Sequence, residues 1–96
     1  MSTETPPDAE RRVEIANMRG LHARASAKFV QCAAAYAAEI EVEKDGMRVD
    51  GGSIMGLMLL AAATGDSLTL RAWGADAGAA LDALADLIAN RFEETD

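Results

Sequence analysis

Ninety-six residues, half of them hydrophobic, suffice for one compact core and not for two. A net charge of −7, with nine basic residues scattered and no aromatic companions, argues against a nucleic-acid partner; one cysteine and one histidine exclude an internal disulfide and a zinc site built on paired ligands. The longest apolar stretch, Ile54 to Ala63, is interrupted by Gly56 and falls short of the ~20 residues of a bilayer span, and Met1 to Glu10 lacks the basic start and apolar run of a secretion signal. A protein of the reducing cytoplasm, with no metal, cofactor or membrane contact, is the expectation; composition leaves oligomeric state open, with a monomer as the default.

In chain order, the acids and prolines of residues 1–10 read as a flexible tail, followed by a single domain over 11–94. Arg12-Val13-Glu14-Ile15-Ala16 alternates polar and apolar as a half-buried strand, and Asn17 and Gly20 end it. From Ala23 to about Ala37, Phe29, Val30, Ala33 and Tyr36 recur at helical spacing, with His22 at the entrance and Cys32 reading as a small buried hydrophobe. Glu39 to Glu43 and Met47 to Asp50 alternate on either side of Asp45-Gly46, which is a hairpin pattern. Ser53 is a good N-cap for a short helix through Leu60. Ser67 to Trp73 alternates again, with Leu68, Leu70 and Ala72 on one face and Trp73 on the other. Leu81, Leu84, Leu87 and Ile88 stripe a last helix from about Asp76 to Arg91. The order β-α-β-β-α-β-α, with one-sided strands and helices to cover them, predicts a two-layer α+β sandwich whose sheet is open to solvent on its other face.

The residues that could carry chemistry converge on Gly20-Leu21-His22-Ala23-Arg24. At a helix N-terminus, unpaired backbone N–H groups and the positive end of the macrodipole favour an anion. Arg24 could add a charge-assisted hydrogen bond to phosphoryl oxygens held on the imidazole. Taken alone, the same arrangement is more often that of a structural histidine capping a helix.

Together with Lys28-Phe29-Val30-Gln31 and with Ser53-Ile54-Met55-Gly56-Leu57-Met58 after the hairpin, this segment resembles the two signature segments of the HPr family of the phosphoenolpyruvate-dependent phosphotransferase system. The resemblance spans Arg12 to Glu94. It implies an antiparallel sheet of order 1-4-2-3 under three helices, a phosphoryl group carried on Nδ1 of His22, and Arg24 as its stabiliser. It implies enzyme I as donor and an enzyme IIA-type domain as acceptor, so that the chain is a stoichiometric carrier and not a stand-alone catalyst. Ala25 departs from the family pattern, which commonly has proline after the arginine; the start of the helix loses a preset backbone angle but keeps its nucleophile.

Two matters stay open at this level. In some family members a serine at the position of Ser53 is phosphorylated by an HPr kinase/phosphorylase, whereas an N-cap role alone accounts for its position. Ile54, Met55, Leu57 and Met58 either fill the core or form a docking face beside His22 and Arg24. The resemblance also leaves room for a regulatory module of the nitrogen-type branch that signals through its phosphorylation state. A small acylphosphatase-like hydrolase using Asn17 and Arg24 is a third reading, and the surrounding motif does not match it.

Overall fold

Strands β1 (Ala9–Glu14), β2 (Glu39–Lys44), β3 (Met47–Asp50) and β4 (Ser67–Trp73) and helices α1 (Ala23–Ala34), α2 (Ile54–Leu59) and α3 (Ala77–Ala89) make up a computed structural model that describes residues 5–94. The strands form one antiparallel sheet in the order β1-β4-β2-β3. Period-two patterning builds it: in β4, Leu68, Leu70 and Ala72 are buried and the residues between them only partly so. The buried face meets Ala25, Phe29 and Ala33 from α1, Leu57 from α2, and Ala77, Ala80, Leu81, Leu84 and Ile88 from α3. Those last five positions recur at i, i+3, i+4, i+7 and i+11, the spacing of one helix face. Among the described residues, no helix is long and apolar enough to cross a membrane.

The sequence reading needs adjusting at several ends. β1 begins at Ala9, because β4 is seven residues long and pairs as far as Ala9 with Ala72. The amide of Asp8 donates to the Ala72 carbonyl (2.8 Å), and the carboxylate of Asp8 accepts from the Gly74 amide. The ordered domain thus starts inside the expected tail, whose residues 1–4 lie outside the described ones. Trp73 is half-buried and its indole N–H donates to the Thr5 carbonyl (2.9 Å). α1 stops three residues early because the Asp76 carboxylate takes the Ala37 amide, and a Cβ on Gly74 would come within 2.7 Å of the Ala37 carbonyl. Burial raises the pKa of the Cys32 thiol above its ordinary value, which suits a packing role and not a nucleophile.

The open face of the sheet is polar by pairing. Register sets both Glu10 and Glu41 opposite Arg71. The guanidinium bonds to Glu10 (2.6 Å), Glu43 (2.5 Å) and Glu41 (3.3 Å), which is why Glu41 can be 3 % exposed in a strand that reads as alternating. The hydrogen bond from Arg71 holds the Glu43 carboxyl below its usual pKa, outweighing the opposing effect of burial, with the charges of Arg71 and Arg48 adding to it. A depressed folded-state pKa contributes stability that is fully present above the unfolded value, about 4.3, and is lost as pH falls through the folded one. Arg71→Gln is therefore expected to flatten the acid limb of stability against pH, measured by urea unfolding between pH ~5 and ~3. An unchanged slope would show that the pairing has no thermodynamic weight.

Candidate functional site

α1 begins at a histidine whose backbone is extended and whose side chain makes no capping hydrogen bond (φ −75°, ψ −178° at His22). The first intrahelical bond runs from the Ser26 amide to the His22 carbonyl (2.8 Å), so the N–H groups of Ala23, Arg24 and Ala25 have no intrahelical acceptor. With twelve residues behind it, this N-terminus carries the positive end of the helix dipole. The approach is fixed by Gly20, at φ +67°, where a Cβ would lie 2.3 Å from the Ala62 carbonyl oxygen. The next amide, Leu21, donates to that same oxygen (2.9 Å), and the Leu21 side chain is sunk in the core. Gly20→Ala combines left-handed backbone with a collision against backbone, and is expected to cost roughly 2–4 kcal/mol. Urea unfolding reads it, and a loss below about 0.5 kcal/mol would contradict the geometry.

The imidazole is partly enclosed, with 17 % of its side chain exposed. Its Nε2 lies 2.5 Å from Oε2 of Glu94. Against an ionised carboxylate, which can only accept, Nε2 carries the hydrogen, and the lone pair of the ring's neutral form then lies on Nδ1. Nδ1 has no hydrogen-bond partner among the described residues. Asn17, completely buried, donates through Nδ2 to the Gly20 carbonyl (2.7 Å) and to both Glu94 oxygens (3.2 and 3.3 Å). Glu94 reaches this point from the far end of the chain through a left-handed turn at Arg91–Glu93, with φ of 58°, 54° and 63°. Neither Glu94 nor the placement of Asn17 was expected from sequence.

Arg24 is exposed, and its guanidinium makes no ion pair or hydrogen bond among the described residues. It is free to meet an anion at the helix N-terminus. Ser26, by contrast, is fully buried and its hydroxyl donates to the Leu21 carbonyl (3.3 Å), so it belongs to the fold of the loop. Ser53 stands apart from the histidine's group: its Oγ accepts from the Gly56 amide (2.9 Å) as the N-cap of α2.

The four apolar residues expected at a docking face divide. Leu57 is fully buried and packs in the core between α1 and the sheet, which removes it from any docking face; Ile54, Met55 and Met58 are 40, 71 and 42 % exposed. A six-residue helix presents one inward position per turn, and Leu57 takes it. Two further exposed apolar residues were not anticipated, Leu59 on α2 at 67 % and Met18 in the loop before α1 at 74 %. The Met18 backbone is tied to the loop after α2, where the Thr64 hydroxyl donates to the carbonyls of Asn17 (2.5 Å) and Met18 (3.1 Å).

Residues 9–90 match the family model described as PTS HPr component phosphorylation site. Over 85 residues the chain is 48 % identical to the phosphocarrier protein HPr of Cupriavidus necator, covering 88 % of this chain and 96 % of that one. It is 40 % identical to the phosphocarrier protein NPr of Shewanella violacea, again over 85 residues, with coverage of 88 % and 93 %. A crystal structure of HPr from Thermoanaerobacter tengcongensis superposes with a TM-score of 0.86 at 45 % identity, covering 90 % of this chain and 97 % of that one.

Proposed function

Because this chain belongs to the HPr family of phosphocarriers of the phosphotransferase system, we propose that Nδ1 of His22 is the atom that accepts and releases the phosphoryl group. The observation that carries this reading is the division of labour on one ring: Nε2 is engaged by Glu94 while Nδ1, at the opening of α1, has no partner among the described residues. The lone pair of Nδ1 attacks the donor's phosphorus, an N–P bond forms, and the bond from phosphorus to the donor's leaving atom breaks with its electrons. The ring then holds a positive charge with the Nε2 hydrogen in place. In the second transfer the acceptor's nucleophile attacks phosphorus, and the N–P electrons return to Nδ1. No net proton is gained or lost by the carrier over the cycle.

Phosphoryl oxygens on Nδ1 lie at the N-terminus of α1, where the N–H groups of Ala23 to Ala25 and the guanidinium of Arg24, unpaired among the described residues, stabilise their charge. Ala25 is wholly buried, so the first turn is held by packing where the family commonly uses proline. The donor in this reading is enzyme I and the acceptor an enzyme IIA-type domain. Both meet the exposed face of Met18, Ile54, Met55, Met58 and Leu59, whose methionines can repack against different partners.

Incubation with enzyme I and phosphoenolpyruvate, followed by intact mass measurement, tests the assignment. One phosphoryl group per chain, labile in acid and stable in base, is expected. No addition, with the donor shown active on a second HPr, would overturn it.

A further inference from the structure

We infer that Glu94 is a positioning residue for phosphoryl transfer: presented by the left-handed turn and braced by Asn17, its carboxylate locks His22 in the tautomer that leaves Nδ1 nucleophilic. The inference rests on the assignment of His22 as the acceptor, and adds a residue seventy-two positions away to its machinery.

The turn that delivers Glu94 is costly to build. Three consecutive residues with side chains, Arg91, Phe92 and Glu93, adopt left-handed backbone, a conformation that crowds Cβ against the following carbonyl oxygen. The surroundings hold them there. Phe92 is completely buried, the Lys28 ammonium of α1 donates to the Phe92 carbonyl (2.7 Å), and the amides of Glu93 and Glu94 close onto the carbonyls of Asn90 and Arg91 (3.0 Å each). The helix that carries His22 thus also anchors the turn, so the carboxylate is referenced to the same rigid element as the ring.

Asn17 adds a second constraint. Its Nδ2 faces three acceptors, the Gly20 carbonyl and both carboxylate oxygens, so reversing the amide would set oxygen against oxygen at every contact. The orientation that serves Glu94 leaves Oδ1 buried with no donor among the described residues. Such an uncompensated acceptor disfavours the fold. Both burdens, strained backbone and orphaned acceptor, converge on the carboxylate that touches Nε2.

The chemical consequence follows from the ring. In the other neutral tautomer Nδ1 bears the hydrogen and cannot attack phosphorus. With Nε2–H bonded to Glu94 the reactive lone pair is left on Nδ1, which has no partner among the described residues, and the carboxylate faces the positive charge that the ring acquires once the N–P bond forms. Glu94 touches neither phosphoryl group nor partner in this scheme; it acts through His22.

Ring 15N chemical shifts of His22, recorded at neutral pH for the full chain, Glu94→Ala and Glu94→Gln, test this. Wild type is expected to show a protonated Nε2 and an unprotonated Nδ1. Glu94→Ala is expected to mix the two tautomers and to lower kcat with enzyme I about tenfold while leaving KM unchanged, in the range seen when a partner that orients a functional histidine is removed. The Gln amide oxygen still accepts from Nε2–H, so Glu94→Gln is expected to restore both the tautomer and most of the rate. Wild-type shifts in Glu94→Ala, or a rate loss that Gln does not rescue, would overturn the role of Glu94. The shifts require no phosphoryl transfer, so a wild-type chain that accepts no phosphoryl group would overturn the His22 assignment by a separate result.

Discussion

His22→Ala is expected to carry no phosphoryl group at all after exposure to enzyme I and phosphoenolpyruvate, while remaining folded. The chain has no second histidine to substitute as a nitrogen nucleophile. Cys32, the other soft nucleophile, is held in its thiol form by burial on α1. The fold should tolerate the loss because the imidazole caps no backbone group and stands outside the hydrophobic cluster. Its removal exchanges one contact to Glu94 for water, and the stability change should stay within about 1 kcal/mol. Intact mass after labelling and a urea unfolding curve on the same preparation read the two quantities together. Retained label would move the acceptor elsewhere; an unfolded variant would show that the ring holds the loop together.

Phe92→Ala is expected to cost about 3–5 kcal/mol, the range for emptying the site of a fully buried aromatic ring. Its effect should reach further than the cavity. The buried ring is the principal apolar anchor of the left-handed turn, and without it Arg91, Phe92 and Glu93 gain by relaxing to ordinary backbone angles. Glu94 then leaves Nε2, so the variant should show the mixed tautomers expected for Glu94→Ala under conditions where it is still folded. Phe92→Leu, which keeps most of the buried surface, should retain the Nε2–H tautomer at a smaller loss of stability. Chemical denaturation and ring 15N shifts separate the two effects; a loss below about 1 kcal/mol would contradict the burial on which the turn depends.

Local signals carried most of the fold. Strict alternation from Ser67 to Trp73 defined β4 to the residue, and Asp45-Gly46, observed at φ 51° and 86°, supplied the left-handed pair that a two-residue hairpin turn requires. His22 was visible for the same reason, since a helix entrance is a property of neighbours in sequence. What depends on distant residues was not visible. Glu41 reads as a solvent-side strand residue, and it is buried only because register places Arg71 opposite. Leu57 and Met58 are adjacent apolar residues in a six-residue helix, and which one turns inward is set by how α2 lies against α1 and β3. Glu94 gave no sign, because Arg, Phe and Glu have no preference for left-handed backbone. One trace was present: Phe92 repeats the apolar stripe of α3 four residues beyond Ile88, an aromatic with no helix left to carry it.

The most direct measurement is the identity of the ring nitrogen bonded to phosphorus, read from 31P–15N coupling in the phosphorylated chain with 15N-labelled histidine. Coupling to Nδ1 of His22 is the predicted result, because Nε2 is bonded to Glu94 and Nδ1, on the residue that opens α1, has no partner among the described residues. Coupling to Nε2, or a phosphoryl group on any other residue, would contradict the division of the ring between a held nitrogen and a reactive one.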